Sequence, residues 1–429
     1  MAKQTYQKET KVESPQLRER VLQVEKALED RNFEAALDLL EPWAIEVYNN
    51  DGSRELVKKL RDEYADVCAR AEREKEEAEN IRNEYTGVLY TFMDLLHGMS
   101  RCQEGVSTPL HKPNHDDPAE VFLYFKKFPI ADDEELQWFR EQVRSPKATG
   151  LDIIAHGMGE SLLDCFWFST LEALIEGIDS PDESISQHCS VAAMSAMFYY
   201  NRRLSAYPDI CEAFEKAVEK HGDEMLDAFV AHCFSIHECY FGINMPENID
   251  FSNMPEFIKK EMAADGFDPE EAWKEMPRNQ ESYLQMHKVL DCMIGSWAMH
   301  ILLQQESEGE DSDKMVSPDS RVGKLCYMFM QIGRPEFLLP EPDKVEDWLT
   351  QQIDDEHSLN PRDFLHFGHL YMRKGDKEKA MEYYRRALEL CPDRENFFDI
   401  LRYEKRYLKA YGYGEPSQFD AIEEELRTL

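Results

Sequence analysis

The sequence predicts an all-α, multi-domain protein. Signals for β-strands are almost absent, because no hairpin dipeptide stands between two alternating apolar runs. Apolar residues instead recur at helical spacing through most of the 429 residues. A chain of this length exceeds the usual size of one hydrophobic core, so we expect two or three domains.

The composition is that of a folded, strongly acidic protein. Hydrophobic residues make up 42% of the chain and aromatic residues 11%, which are globular values. The formal charge of -37 produces a field that repels nucleic acids and anionic membranes, so direct nucleic-acid binding is disfavoured. The acidic residues are spread along helices as a solvated surface would require, although such a surface could also attract a basic partner.

The cysteines and the apolar runs indicate a soluble, cytoplasmic protein. The ten cysteines are scattered without a CxxC pair, which is typical of reduced thiols. The first residues lack the apolar stretch of a secretory signal. No run approaches the roughly 18 apolar residues of a membrane helix, since the best candidate, residues 289–303, contains Asp291 and His300.

The N-terminal region, residues 1–104, is predicted to be a helical hairpin followed by a long helix. The hairpin covers residues 15–48 and turns at residues 30–32. Apolar or aromatic residues then recur at heptad spacing from Leu60 to Leu95. This pattern predicts one helix of about 40 residues, about 60 Å long at 1.5 Å per residue. The helix would either lie across the other helices or project as an arm.

Composition divides the rest of the chain into four parts. Residues 105–119 are rich in proline, glycine and polar residues and are expected to form a hinge. Residues 120–305 are a series of apolar-periodic segments, the predicted central helical core. Residues 306–320 hold six acids and no aromatic residue, as in a flexible linker that could be a plain connector or a segment open to proteolysis or phosphorylation. Residues 321–429 form the C-terminal module.

The clearest motif lies within that module. Residues 362–393 read RDFLHFGHLYMRKGDKEKAMEYYRRALELCPD, after a proline suited to the first turn of a helix. Nine of its positions resemble a tetratricopeptide repeat, namely Phe364, Phe367, Gly368, Tyr371, Gly375, Ala380, Tyr384, Ala387 and Pro392. Small residues at three of these positions would let two antiparallel helices approach closely while aromatic side chains fill the gaps.

The resemblance implies a helical-hairpin array that holds a partner protein. One hairpin cannot bury both of its faces, so neighbouring hairpins are needed. Residues 321–353 and 396–429 supply degenerate candidates that lack the small-residue pattern. Asn32, Phe33 and Ala36 in the N-terminal hairpin suggest a further degenerate copy.

In this family the first helix of each repeat lines a concave groove. Carried onto this chain, the exposed face of that helix would be Arg362, Leu365, His366, His369, Met372 and Arg373. The family's clamp for C-terminal carboxylates uses lysine and asparagine on the groove face, whereas Leu365 and His369 stand here. A chaperone-tail clamp is therefore not expected.

The groove face carries a locally basic strip, formed by Arg362, His366, His369 and Arg373, on an acidic protein. We expect an acidic or carboxylate-bearing peptide to bind Arg362 and Arg373, with apolar contact from Leu365 and Met372. The alternative is that the strip packs against acidic residues of the preceding helix, such as Glu346 and Asp347.

Two polar clusters in the central region are candidate chemical sites. In the segment from His232 to Cys239, Cys233 and His237 are four residues apart and could share a helical face as metal ligands. The aromatic neighbours of that pair favour an ordinary core helix. The second cluster places His156 shortly before Cys165, but a catalytic pair needs proximity and an orienting group, which the sequence does not indicate.

The sequence therefore predicts a non-catalytic scaffold or adaptor that binds a protein or peptide and needs no cofactor. No phosphate-binding loop, dinucleotide fingerprint or kinase signature occurs in the chain. One alternative is a helical enzyme with a site near His156 or within 232–239. Another is a regulatory protein that is cut or modified in 306–320.

Overall fold

The structure of the protein is a computed structural model. It describes residues 13–48, 52–107, 111–127, 130–241, 280–293, 296–299, 301, 361–391, 394–395, 397–398, 401–402, 405 and 416–428. The described residues contain helices and no strand, so the all-α prediction is confirmed.

The helices follow one another along the chain. They are α1 (Pro15–Glu29), α2 (Phe33–Tyr48), α3 (Gly52–Arg73), α4 (Ala78–Glu104), α5 (Pro118–Lys127), α6 (Asp133–Arg144), α7 (Leu151–Asp164), α8 (Phe168–Gly177), α9 (Glu183–Tyr199), a 3₁₀ helix (Asn201–Ala206), α10 (Pro208–Phe241), α11 (Gln280–Met293), α12 (Pro361–Lys374), α13 (Lys377–Leu390) and α14 (Pro416–Arg427). The described residues fall into two compact units: residues 13–229 with 288–301, and residues 230–241 and 280–287 with 361–428.

The first four helices share one hydrophobic core. α1 begins at Pro15, where the Ser14 hydroxyl oxygen accepts a hydrogen bond from the backbone N–H of Leu17 at 3.1 Å. Such a cap satisfies a donor that the first turn of a helix leaves without a partner. Trp43 of α2 is fully buried and donates from its indole N–H to the Ser100 hydroxyl of α4 at 3.0 Å. α1 and α2, which residues 30–32 connect, also pack against each other.

The prediction of one helix of about 40 residues is wrong, because the heptad seam is divided between α3 and α4. The two helices are separated by residues 74–77, which are Glu, Lys, Glu and Glu. After this charged turn the chain folds back, so that Tyr85 of α4 stacks on Tyr64 of α3 with ring centroids 5.8 Å apart. The Tyr85 hydroxyl also donates to the Leu60 carbonyl at 2.6 Å. Heptad residues of both helices, including Leu60, Val67, Ile81, Tyr85 and Phe92, are buried in the core that they share with α1 and α2.

Residues on both sides of the predicted hinge belong to the first unit. α4 continues to Glu104 and ends at Gly105, which adopts the left-handed conformation with φ 74°. Helices α5 to α9 then pack pairwise, with α7 lying between α5 and α9 and α8 between α6 and α9. The α7–α9 contact is so close that a Cβ on Gly159 would lie 2.6 Å from the Ala192 Cβ.

A buried arginine links the first helices to the central ones. The Arg203 side chain in the 3₁₀ helix is only 5% exposed. Its Nη1 donates to both carboxylate oxygens of Asp94 in α4, at 2.8 and 3.1 Å, and its Nε donates to Glu25 Oε1 in α1 at 3.1 Å. Burial alone would lower the pKa of the guanidinium, but the two carboxylates outweigh this effect and raise that pKa.

Three aromatic rings complete the surroundings of this guanidinium. The Arg203 Cζ lies 4.8 Å from the ring centroid of Tyr90, 4.9 Å from that of Tyr200 and 5.4 Å from that of Phe166. Cations are attracted to the faces of aromatic rings, and more strongly when water is excluded. The charge is thus compensated by carboxylates and enclosed by rings from separate parts of the chain.

A second buried ionic cluster lies on the same face of α4. His97 Nε2 is 2.9 Å from Glu13 Oε2, and Arg101 Nη1 donates to the same oxygen at 2.7 Å. Arg101 Nη2 also donates to Asp164 Oδ2, at the end of α7, at 2.7 Å. Asp94, His97 and Arg101 are three and four residues apart, so one stripe of α4 carries the ionic contacts of both clusters.

The Arg203 cluster predicts a large effect of one substitution. Arg203→Met leaves the Asp94 carboxylate buried without its guanidinium, and we expect the free energy of unfolding to fall by about 3–5 kcal/mol. The neighbour Arg202 is 79% exposed and pairs with Glu29 at 3.4 Å, so Arg202→Met should change it by less than about 0.5 kcal/mol. Urea denaturation of the full chain, followed by circular dichroism, measures both. Equal denaturation midpoints for the two variants would contradict the prediction.

The second cluster predicts a dependence of stability on pH. Burial alone would lower the pKa of His97, but its contacts with Cys165 and Glu13 raise that pKa to about 10, from 6.5. The folded state therefore keeps a proton that the unfolded state loses. This contribution is complete below pH 6.5 and is lost as the pH rises towards 10, with a slope of at most about 1.4 kcal/mol per pH unit.

Denaturation midpoints at pH 6.5, 8 and 9.5 measure this slope. His97→Gln should flatten the curve over that range, because the amide does not titrate. His188→Gln, which replaces a partly exposed histidine of α9 outside this cluster, should leave the slope of the native protein unchanged. A His97→Gln curve parallel to the native one would show that this ring does not retain its proton.

Candidate protein-binding site on the C-terminal hairpin

The C-terminal hairpin is formed by α12 and α13, which approach closely at small residues. A Cβ on Gly368 of α12 would lie 2.4 Å from the Tyr384 ring of α13, so only glycine fits. Ala380, Tyr384 and Ala387 are all fully buried in the hairpin core. The structure thus gives these positions the packing role that the sequence pattern predicted.

The turn between the two helices depends on Gly375. This residue has φ 78°, in the left-handed region where residues with a Cβ are strained. Its N–H donates to the Met372 carbonyl at 3.0 Å, and the N–H of Asp376 donates to the Tyr371 carbonyl at 2.9 Å. The Asp376 carboxylate then accepts from the Lys379 N–H at 3.0 Å and caps α13.

The N-terminal hairpin has the same turn. Arg31, with φ 57°, occupies the left-handed position and donates its N–H to the Leu28 carbonyl at 3.0 Å. The N–H of Asn32 donates to the Ala27 carbonyl at 2.8 Å, and its side chain accepts from the Ala35 N–H at 3.2 Å. Five residues after the left-handed position a fully buried alanine follows in both hairpins, Ala36 here and Ala380 at the C-terminus. The suggested likeness between the two hairpins therefore extends to their backbone hydrogen bonds.

The predicted groove face is not an open surface. Three of its residues, Leu365, His366 and His369, are only 2%, 8% and 6% exposed. His369 Nδ1 lies 2.6 Å from the Tyr384 hydroxyl, and its ring is 6.0 Å from that of Phe419 in α14. The expectation that these three side chains face solvent is wrong, and for His369 the reason is that α14 covers its ring.

The other groove candidates are placed differently. Met372 and Arg373, at the end of α12, are partly exposed. The side chain of Arg362 lies outside the described residues, as do Glu346 and Asp347, the acidic residues of the alternative interpretation. The binding roles of these residues remain predictions.

A row of stacked aromatic rings runs along one edge of the hairpin. The Tyr383 ring of α13 stacks on Phe364, Phe367 and Tyr371 of α12, with centroid distances of 6.4, 4.8 and 5.3 Å. Tyr383 is partly exposed, whereas the three α12 rings are buried. Sequence reasoning missed this row, although residues 364, 367 and 371 follow the spacing of one helical face.

Cationic side chains lie over both ends of this row. Lys379 Nζ is 4.0 Å from the Tyr371 ring centroid and donates to its hydroxyl at 2.5 Å, and Lys374 Nζ lies 5.7 Å from the same centroid. The Arg386 guanidinium lies 4.6 Å from the Phe364 centroid. We call Lys374, Lys379, Arg386 and the aromatic row the basic aromatic edge. Lys379 and Arg386 are exposed, so this edge offers positive charge to solvent.

The charge of the hairpin is opposite in sign to that of the whole chain. Residues 361–390 contain seven basic and five acidic side chains, a net charge of +2, on a protein of charge -37. A positive surface on an acidic protein attracts negatively charged ligands locally.

Comparison with known proteins supports the assignment of the hairpin. Residues 364–394 match the tetratricopeptide repeat, a module for protein–protein interaction, so the resemblance seen in the sequence is confirmed for this segment. The chain matches no curated protein and no solved structure.

His156 and Cys165 are not assembled as a catalytic pair. His156 lies in the first half of α7 and Cys165 directly follows its last residue, so the two are about 13 Å apart along the helix axis at 1.5 Å per residue. His156 Nε2 instead lies 3.6 Å from Glu160 Oε1. Burial alone would raise the pKa of Glu160, but His156 and Lys126 lower it to about 2, as expected of an ion-paired carboxylate. Cys165 is 1% exposed and contacts the Asp94 carbonyl at 3.7 Å.

The candidate metal ligands are described only in part. Cys233 is 2% exposed, and burial raises the pKa of its thiol, which opposes formation of the thiolate that metals bind. The side chains of His237 and Cys239 lie outside the described residues, as does the segment 306–320. Among the described residues, no group of three potential ligands could hold a metal ion. No helix in the described part is both long and apolar enough to cross a membrane.

The close helix contact predicts that Gly368→Ala destabilises the hairpin. The added methyl group would overlap the Tyr384 ring, and overpacking of this kind costs about 1–3 kcal/mol. Hydrogen exchange with mass spectrometry on peptides from 361–390 localises the effect, which should appear as faster exchange in α12 and α13. Glu389→Ala, at an exposed position of α13, is the matched control and should leave exchange unchanged. Equal exchange in both variants would contradict the packing argument.

Proposed function

We propose that the protein is a non-catalytic adaptor that binds an acidic segment of a partner protein at the basic aromatic edge of its C-terminal hairpin. The observation that carries this proposal is the placement of Lys379 and Arg386, both exposed, over a row of stacked rings on a repeat known for protein binding.

The chemistry of the edge favours carboxylates. Lysine and arginine form charge-assisted hydrogen bonds with carboxylates, which are stronger than neutral hydrogen bonds. The rings beneath the cations restrict their position, so less conformational entropy is lost when a ligand binds. The partly exposed Tyr383, between Lys379 and Arg386 along α13, adds an apolar contact of the kind common at protein interfaces.

The edge replaces part of the groove predicted from the family. Leu365 cannot supply the expected apolar contact because it is buried beneath the surface. Arg373 and Met372 are partly exposed at the end of α12, so they can extend the contact with a bound peptide. We retain both residues as candidates next to Lys374.

We also propose that the protein acts in the cytoplasm. In support, Cys68 is an exposed cysteine that forms no disulfide bond. Exposed thiols are typical of a reducing compartment. The large negative charge supports high solubility there.

Charge reversal at the edge tests the proposal. The full-length protein is used to capture proteins from the lysate of its native host, and each captured protein is quantified by mass spectrometry. Lys379→Glu combined with Arg386→Glu should reduce capture of an acidic partner at least tenfold, because two attractive charges become repulsive. Capture by the native protein should also decrease as salt is raised.

The matched control is Lys58→Glu combined with Lys59→Glu. These lysines are exposed on α3, and their reversal changes the net charge by the same amount. If both double variants lose the partner equally, the effect is one of net charge and the edge is not the binding site. If the edge variant retains the partner while its circular dichroism is native, the proposal is wrong.

A further inference from the structure

A cleft of about 920 Å³ lies in the first unit, beside the start of α10. One wall is a stripe of α10 formed by Pro208, Cys211, Glu212 and Glu215. These residues are three, one and three positions apart, so they share one face of the helix. The cleft is at the upper end of the usual range for small-molecule sites, which is about 300–1,000 Å³.

A second part of the lining, within residues 296–299, is held by specific contacts. The backbone N–H of Trp297 donates to Asn201 Oδ1 at 3.0 Å, and the N–H of Met299 donates to the Ser296 hydroxyl at 3.1 Å. The Trp297 ring lies 6.4 Å from that of Phe214, on the buried side of α10. Trp297 is nevertheless partly exposed, so the indole contributes aromatic surface to the cleft.

The charge of the cleft is negative. Among its described lining residues the formal charges are the carboxylates of Glu212 and Glu215. Cys211 adds no charge near neutral pH, because burial and the nearby Glu215 raise the pKa of its thiol to about 11. Glu212 pairs with Lys216 at 2.5 Å, but both side chains are more than 60% exposed. An exposed pair of this kind is weak and exchanges readily with another cation.

The carboxylates of Glu212 and Glu215, together with the Trp297 indole, form an environment suited to a guanidinium. Arginine forms paired hydrogen bonds with carboxylates, and its flat cation stacks on aromatic faces, most favourably on tryptophan. Leu204, Pro208 and Met299 add apolar surface on which the methylene groups of such a side chain can lie.

We propose that this cleft binds an arginine-bearing basic segment of a partner protein, with Glu212 and Glu215 pairing the guanidinium and Trp297 stacking against it. Charge complementarity selects the occupant: the lining is acidic and the chain as a whole carries -37. Residues 306–320, which follow in the sequence, have six acids and one lysine, so the negatively charged cleft would repel this segment.

The proposed cleft is independent of the basic aromatic edge. All of its described residues belong to the first unit, whereas α12 and α13 belong to the second. The two surfaces also select ligands of opposite charge. The Lys379→Glu, Arg386→Glu variant should therefore bind a basic probe as the native protein does, which separates failure of one proposal from failure of the other.

Fluorescence anisotropy with the full-length protein tests this site. The probe is a fluorescein-labelled peptide of twelve residues in which arginine and alanine alternate. Glu212→Gln combined with Glu215→Gln should weaken binding at least tenfold, and Trp297→Ala should also weaken it severalfold. Glu219→Gln combined with Glu224→Gln, at exposed positions of α10 outside the lining, makes the same change in charge and should alter binding less than twofold.

Three results would overturn the proposal. The native protein could fail to bind the probe, or both glutamine pairs could weaken binding equally, which would indicate attraction by net charge alone. Free arginine amide could also compete at the same concentration as the peptide, which would indicate a small-molecule site. The glutamine substitutions retain side-chain volume at exposed or partly exposed positions, so circular dichroism should show a native helix content in every variant.

Discussion

The pairing of one buried guanidinium with its carboxylates holds the first unit together. Arg203 contacts Glu25 of α1, Asp94 of α4 and the ring of Phe166 just after α7. A charge in the protein interior is tolerated only when its partners are fixed around it. The helices that carry these partners must therefore assemble together. The first helices and the central helices, which the sequence suggested as separate regions, share this cluster.

α4 is the element on which both ionic clusters depend. It presents Asp94 to one cluster and His97 with Arg101 to the other, while its apolar residues pack into the core of the first four helices. A helix that is buried on several sides cannot tolerate the wide polar face of a surface helix. This explains why polar residues of α4, including Ser100 and Thr86, are bonded to specific partners.

The distribution of charge separates the two proposed binding surfaces. The C-terminal hairpin is locally positive although the chain is strongly negative, and the cleft beside α10 retains the negative sign of the whole. Surfaces of opposite sign do not compete for the same ligand, because a charged segment that one surface attracts is repelled by the other. The two proposed surfaces therefore select chemically different partners.

The local sequence determined the helices and the turns of both hairpins. Gly375 and the small residues at 368, 380 and 387 predicted a close hairpin, because backbone conformation and side-chain volume are local properties. Periodicity reports only which residues share a face. It could not show that the heptad seam breaks at residues 74–77, nor that α14 covers His369, because both depend on contacts distant in sequence.

Arg202 and Arg203 show the same difference between what the local sequence determines and what the tertiary structure decides. They are identical in chemistry and neighbours in the chain, yet one side chain is 79% exposed and the other 5%. Only the assembled helices place carboxylates and rings around Arg203, so only the tertiary structure could distinguish the two. In the C-terminal hairpin the sequence likewise determined the fold, whereas packing decided that Leu365, His366 and His369 are buried and that Lys379 and Arg386 face solvent.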